Sequence, residues 1–474
     1  MDASALSSRA GSAWDSDVLP VLEDYIRIPN LSPMFDPEWV SNGHMDRAVD
    51  LLASWAERRA IAGLTVTRHQ LPGGLTPVIV AEIPATAPAP DVLLYGHLDK
   101  QPPMTGWRVG LGPFEPVREG DLLYGRGGAD DGYALFASLL AIEGLQAAGG
   151  AHGRLVVLVE ASEESGSPHL PAYVDALAST IGAPDLVVCL DSGCATYDRL
   201  WLTTSLRGVV GVELTVRVLD EGAHSGSAGG VVPSSFRILR QLLSRIEDEI
   251  TGEILVPELH VDVPSGREDE IVAAASELGD VAGGTFALVA EKVHDDPARQ
   301  LRARTWEPNM AVVGMEGVPP VHSAGNVLRP FTTVKLSFRL PPTCDPQLAA
   351  AALERTLLDA PPHGAQVTVT IDDLGPGWDS PALAPWLARA VDDASNAAFG
   401  LPARAMGEGG TIPFMGMLGE RFPDAQFVIT GVLGPGSNAH GPNEFLHVPM
   451  AKGVTVAVAH LLNAHANDRS GTRS

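Results

Sequence analysis

At 474 residues and 45% hydrophobic, the chain is long enough for two domains with proper cores. Its 58 acidic against 32 basic residues give a formal net charge of -26, which argues against nucleic acid or an anionic membrane as partner. The three cysteines, Cys189, Cys194 and Cys344, are too few for a disulfide framework and read as buried thiols.

In chain order, residues 1–13 read as a loose tail, and the small, polar stretch 1–16 lacks the apolar core of a signal peptide. No apolar run approaches the ~20 residues that span a bilayer, so a soluble, cytoplasmic protein is expected. Helical apolar spacing covers 15–28 (Val18, Leu19, Leu22, Ile26) and 44–59 (Met45, Val49, Leu52, Trp55). Short strands are predicted at 64–69 and 78–83, followed by a buried strand that runs into Tyr95-Gly96-His97-Leu98-Asp99-Lys100. His97 and Asp99 are two apart at the carboxyl end of that strand, where open α/β sheets place ligands. Such a pair is more often a structural hydrogen bond than a metal ligand with the residue that holds its ring, until the partners further along the chain are taken with it.

A hairpin over 114–124, turning at Glu119-Gly120-Asp121, leads to Gly125-Arg126-Gly127-Gly128-Ala129-Asp130-Asp131-Gly132 and an apolar helix over 133–147. The glycines lack the Gly-Lys-Ser/Thr of a phosphate loop, and paired carboxylates would repel a phosphate. The all-apolar strand 155–159 runs into Glu163-Glu164-Ser165-Gly166, and the strand 186–190 into Asp191. Strands and helices alternating with acidic strand ends over 64–191 predict a mixed α/β sheet with helices on its faces.

After residue 203 the pattern changes. An alternating strand over 209–218 is followed by Ala223-His224-Ser225-Gly226, a helix near 233–250 and a poorly patterned stretch to 308. A strand (332–340), a helix (346–358) and a strand (366–371) complete an antiparallel sheet covered by helices. The α/β character then returns with a helix near 382–399, Glu408-Gly409-Gly410-Thr411-Ile412-Pro413, a strand at 426–429, Ala439-His440-Gly441-Pro442-Asn443-Glu444 and a last helix over 450–464. The expected organisation is a catalytic α/β domain in two parts, 1–203 and 379–474, with an inserted α+β domain over 204–378.

His97, Asp130, the Glu163/Glu164 pair, Asp191 and His440 each fall at or just past an element end of the α/β part. Two imidazoles and three carboxylates, one of them shared, suffice to hold two zinc-like ions. The remaining Glu of the pair is then free to act as a general base and acid.

These strings, with Gly96-His97-Leu98-Asp99 and His224-Ser225-Gly226, resemble the M20 family of di-zinc metallopeptidases, and within it the carnosinase-like dipeptidases. The resemblance implies two divalent metal ions per subunit, zinc first, with manganese or cobalt as other candidates. It implies one ion on His97, Asp130 and Asp191 and the other on Asp130, Glu164 and His440. Asp99 would orient His97, Glu163 would be the general base and acid, and the Asp130–Asp131 peptide bond would be cis. The inserted domain resembles the family's lid and dimerisation domain, which implies a homodimer in which His224 reaches the partner's site to stabilise an oxyanion. Asn326 and Arg339 match substrate-holding positions, Arg339 suiting a C-terminal carboxylate, and Gly409, Gly410 and Thr411 would line that end of the pocket.

Three departures stand out. Gly132 and Gly407 replace a Lys and an Arg common among relatives, and no His occurs near Gly375-Pro376-Gly377-Trp378. The expected activity is hydrolysis of short peptides, foremost dipeptides with a free C-terminal carboxylate. The alternative is an aminoacylase-like or N-carbamoyl amino acid amidohydrolase using the same metals.

Overall fold

The buried apolar runs assemble into a six-stranded mixed sheet, ordered Thr65–His69, Val78–Ile83, Leu155–Glu160, Val92–His97, Leu186–Cys189 and Gln426–Ile429. The first two pairings are antiparallel and the remaining three parallel. This computed structural model describes residues 3–281, 286, 288–410 and 412–469. Alternation along the strands sends Ile79, Leu94, Val157 and Val188 to one face and Val80, Leu93, Val156 and Val187 to the other. Helices cover both faces, as an α/β sheet requires: Ala134–Ala147 and Val448–Asp468 on the first, Leu170–Ala176 and Pro413–Arg421 on the second.

A second sheet is antiparallel and ordered Asn309–Glu316, Phe331–Leu340, Gly208–Arg217 and Gln366–Gly375. Its inner face buries Val210, Val212, Leu214, Val216, Val334, Leu336 and Phe338. The helices Ser235–Leu243 and Pro346–Leu358 cover that face. The expected fold class, a mixed sheet flanked by helices plus an α+β insertion, is the observed one.

Several elements differ from expectation. The predicted loose tail is helical from Ala3 to Ala13, because Leu6 and Ala10, four residues apart, bury on one side. Among the described residues, the poorly patterned stretch holds the α-helices Ser265–Leu278 and Pro297–Thr305, whose Ile271, Ala274 and Leu301 join the main core together with Trp306 just past the second. The apolar stripe of the first is interrupted by the buried Arg267, which donates to Asp379 and Glu270 at 2.7 Å and to the Ser380 carbonyl at 2.7 Å. A small three-stranded sheet of Trp378–Asp379, Trp201–Leu206 and Arg404–Glu408 was also not anticipated. The expected crossing between residues 203 and 204 falls inside the strand Trp201–Leu206. Among the described residues, no helix is long and apolar enough to cross a membrane.

Candidate metal centre

Three parallel strands, Val92–His97, Leu155–Glu160 and Leu186–Cys189, end at the same edge of the sheet. They carry His97 and Asp99, Glu163 and Glu164, and Asp191 to that edge. Gly96 permits the closest approach: a Cβ there would lie 2.7 Å from Asp131 Oδ2 and 2.7 Å from Ala134 Cβ. The Gly128–Gly132 turn opening the Ala134–Ala147 helix brings in Asp130, and its Asp130–Asp131 peptide bond is cis. Asp131 Oδ2 accepts the His97 backbone N–H at 3.2 Å. Gly132 is explained by packing, since a Cβ would sit 2.3 Å from the Tyr25 ring and 2.5 Å from the Gly127 carbonyl.

His97, Asp130 and Asp191 converge as one donor cluster, and Asp130, Glu164 and His440 as a second, sharing Asp130. His97 Nε2 lies 3.3 Å from Asp130 Oδ1 and 3.7 Å from Asp191 Oδ1. His440 Nε2 lies 3.1 Å from Asp130 Oδ2 and 3.3 Å from Glu164 Oε2. Glu163 Oε2 stands 4.0 Å from His97 Nε2 and belongs to neither cluster. His440 arrives on a loop in the left-handed region (φ 65) and is the exposed member, whereas His97 is fully buried.

Asp99 Oδ1 is 3.5 Å from His97 Nδ1 without forming a hydrogen bond. Its formed bonds are to the Glu163–Ser165 turn: Oδ1 accepts the backbone N–H of Glu163 at 3.1 Å and Oδ2 that of Glu164 at 3.0 Å.

The electrostatics are those of crowded, dehydrated carboxylates. Burial, then Asp191, pushes the Glu163 carboxyl well above its ordinary value, and burial, then Asp130, does the same to Glu164. Asp130 goes the other way: burial raises it, but hydrogen bonds from His440 and His97 outweigh that and hold it low. Burial lowers the His97 imidazole, yet Asp191, Asp130 and Asp99 together hold it well above its ordinary value. Glu164 Oε1 and His97 Nδ1 are buried without a hydrogen-bond partner. Two imidazoles among buried carboxylates, with donor atoms left over, fit divalent cations of the zinc or manganese type.

His224 lies on a two-stranded ribbon, where it pairs with Val327, and the Ser225 N–H donates at 2.9 Å to the carbonyl of Asn326, which immediately precedes the second strand. His224 is exposed, and its Nδ1 accepts the Gly226 N–H at 3.1 Å. Arg339, Gly409 and Gly410 line a cavity of about 1130 Å³. Thr411 lies outside the described residues.

The sequence profile of peptidase family M20/M25/M40 matches residues 93–464, most of the chain. The chain belongs to this family. It is 29% identical over 404 residues to the cysteinylglycine-S-conjugate dipeptidase of Corynebacterium striatum, covering 84% of this chain and 86% of that protein. It is 26% identical over 377 residues to the human Beta-Ala-His dipeptidase, covering 76% and 73%. The solved structure of the di-peptidase Dug1p of Saccharomyces cerevisiae shares the fold, with a TM-score of 0.75, 21% identity and coverage of 98% and 99%. M20 members are metallopeptidases, and the paired clusters are where this one could hold its metal.

Three supports in this M20 chain escaped the sequence reading. Gln101 Nε2 donates to Glu164 Oε2 at 2.6 Å. Arg126 and Glu444, both buried, form an ion pair beside His440; Glu444 also accepts the Gly127 N–H at 2.9 Å, and Arg126 donates to the Gly441 carbonyl at 2.9 Å. Arg207 donates to the Gly409 carbonyl at 3.0 Å. Gln101 and Glu444 could have been found as polar residues inside the same short strings as His97 and His440. Arg207 carries no local signal, because its partners Glu307 and Gly409 lie 100 and 202 positions away.

Proposed function

We propose that this chain is a di-metal dipeptidase. The observation that carries the reading is the shared Asp130 between two donor clusters, with Glu163 left over 4.0 Å from His97 Nε2. One ion would be held by His97, Asp130 and Asp191 and the other by Asp130, Glu164 and His440. Bound there, a pair of divalent ions supplies Lewis acidity that polarises a carbonyl and acidifies a water.

The remaining work falls to side chains. Glu163 takes the proton of the attacking water on a carboxylate oxygen and delivers it to the nitrogen of the departing amine. Its raised proton affinity, set by burial and Asp191, suits a group that must hold the proton between those events. Asp99 keeps Glu163 and Glu164 in place through their backbone N–H groups. Arg339 grips the C-terminal carboxylate of the peptide, with Gly409 and Gly410 lining that end.

We further propose that residues 204–378 act as a lid and dimerisation domain. The exposed His224 would act across a homodimer, donating to the developing oxyanion in the partner's site, with Asn326 just before the ribbon's second strand. Support for dipeptides over capped amino acids comes from the dipeptidase names of relatives that align with most of this chain.

The test is hydrolysis of free dipeptides against N-acetyl and N-carbamoyl amino acids, by protein stripped of metal and reloaded with zinc or manganese. Metal-dependent cleavage of free dipeptides, lost on N-capping, is expected. Cleavage of the capped amino acids alone would replace this reading with the amidohydrolase one.

A further inference from the structure

The cavity that contains Arg339 has an unusual charge for this chain. Against a formal net charge of -26 overall, its lining carries six cationic side chains, Arg207, Lys292, Arg299, Arg302, Arg304 and Arg339, against four carboxylates, Glu253, Glu291, Glu307 and Glu408. Glu408 faces Arg304 at 3.2 Å, and its other oxygen packs at Gly193, two residues past Asp191. Through Glu408 the cavity adjoins the strand end that carries a proposed metal ligand. Another lining carboxylate, Glu307, is engaged by Arg299 at 2.5 Å and Arg302 at 3.3 Å.

Two features indicate a built site. Arg207 is buried, and its guanidinium is lowered to about 10 by burial and by the like charges of Arg339 and Arg304. Like charges held together out of water are costly unless an anion joins them. Gly409 lies between two of them: a Cβ would come within 3.2 Å of Arg207 Nη2 and 3.2 Å of the Arg304 carbonyl. The bare backbone at 409 thus keeps the space between the two arginines open. A structural clamp on Gly409 and Gly410 would need only N–H donors, which a neutral side chain supplies. It does not account for Arg304, which donates to Glu408 instead.

Across the lining, six positive charges against four negative leave an excess of two, whereas a single C-terminal carboxylate supplies one. We propose that the preferred substrate is a dipeptide with a second carboxylate, its C-terminal residue being aspartate or glutamate. The α-carboxylate rests on Arg339 and the side-chain carboxylate on Arg304, with Arg207 behind them. This rests on the dipeptidase reading above and narrows it to acidic substrates.

Two isosteric peptides, Ala-Glu and Ala-Gln, test it. In wild-type, metal-loaded protein, kcat/KM for Ala-Glu should exceed that for Ala-Gln by at least about tenfold, and raised salt should shrink the ratio. Arg304→Gln should bring the ratio close to one. Calorimetry on Glu163→Gln protein, which is expected not to turn the peptides over, should show the same preference in binding. If Arg304→Gln does not fold, the wild-type ratio and the calorimetry still decide. Equal use of both peptides, or a preference for Ala-Gln, overturns the proposal. Preferential binding of Ala-Glu without hydrolysis of either peptide leaves the acidic subsite standing and removes the dipeptidase reading instead.

Discussion

Asp99 holds Glu163 by its backbone: the carboxylate accepts the Glu163 N–H at 3.1 Å and, through its second oxygen, the Glu164 N–H at 3.0 Å. One buried side chain thereby sets the position of both glutamates. Asp99→Asn keeps the shape but can accept only one of these N–H groups, turning its own amide toward the other. Metal affinity should fall about 10- to 100-fold, as for other groups that orient ligands. A competitive chelator titration would measure this; unchanged affinity would place Asp99 outside the support of the site.

Glu163→Gln separates binding from proton transfer. Because Glu163 belongs to neither donor cluster, the variant should keep its full metal content by elemental analysis. Its kcat should drop by roughly 10²–10⁴ with KM little changed. Retained turnover would remove Glu163 from its role.

Glu160, behind the Glu163–Ser165 turn, predicts a pH dependence of stability. Burial, then Asp99, raises its carboxyl from 4.5 to about 7, against hydrogen bonds from Tyr95, Ser167 and Ser162. The folded state binds this proton more tightly than the unfolded state. Its contribution is therefore complete below about 4.5 and is lost as the pH rises through about 7. The shift corresponds to roughly 3 kcal/mol at most. Relative to wild type, Glu160→Gln should gain stability progressively between pH 5 and 8 in denaturant titrations of the loaded protein. A difference that stays constant across that window would contradict the assignment.

His224 tests sharing of the site between subunits. His224→Ala alone should lose about 10²–10³ in kcat, the usual worth of an oxyanion donor. Mixed with Glu163→Gln chains and allowed to exchange subunits, it should regain part of that loss, since one site of each mixed dimer then holds an intact Glu163 and an intact His224. Absence of any recovery, with exchange shown by a tagged chain, would argue for a site complete within one subunit.

Much of the candidate metal centre was legible in the sequence because its residues sit at ends of strongly patterned elements. The apolar run Val92–Tyr95 reads as a buried strand, so the polar residues just past it emerge at the sheet's edge. The same holds for Leu155–Val159 and Leu186–Cys189. What pairs those edges is non-local. That Asp130 lies between His97 and His440, 310 positions further on, depends on the sheet order and on the Arg126–Glu444 pair beside the second loop. Periodicity failed where buried charge replaced apolar packing: Arg267 hid the helix Ser265–Leu278 by turning inward onto Asp379 and Glu270. Local pattern, which reflects the partition of side chains between water and core, thus determined the strands and the chemistry at their ends. Only the tertiary structure placed Arg207, Arg304 and Arg339 in one cavity, because electrostatic neighbours are chosen by the packed fold and leave no period in the chain.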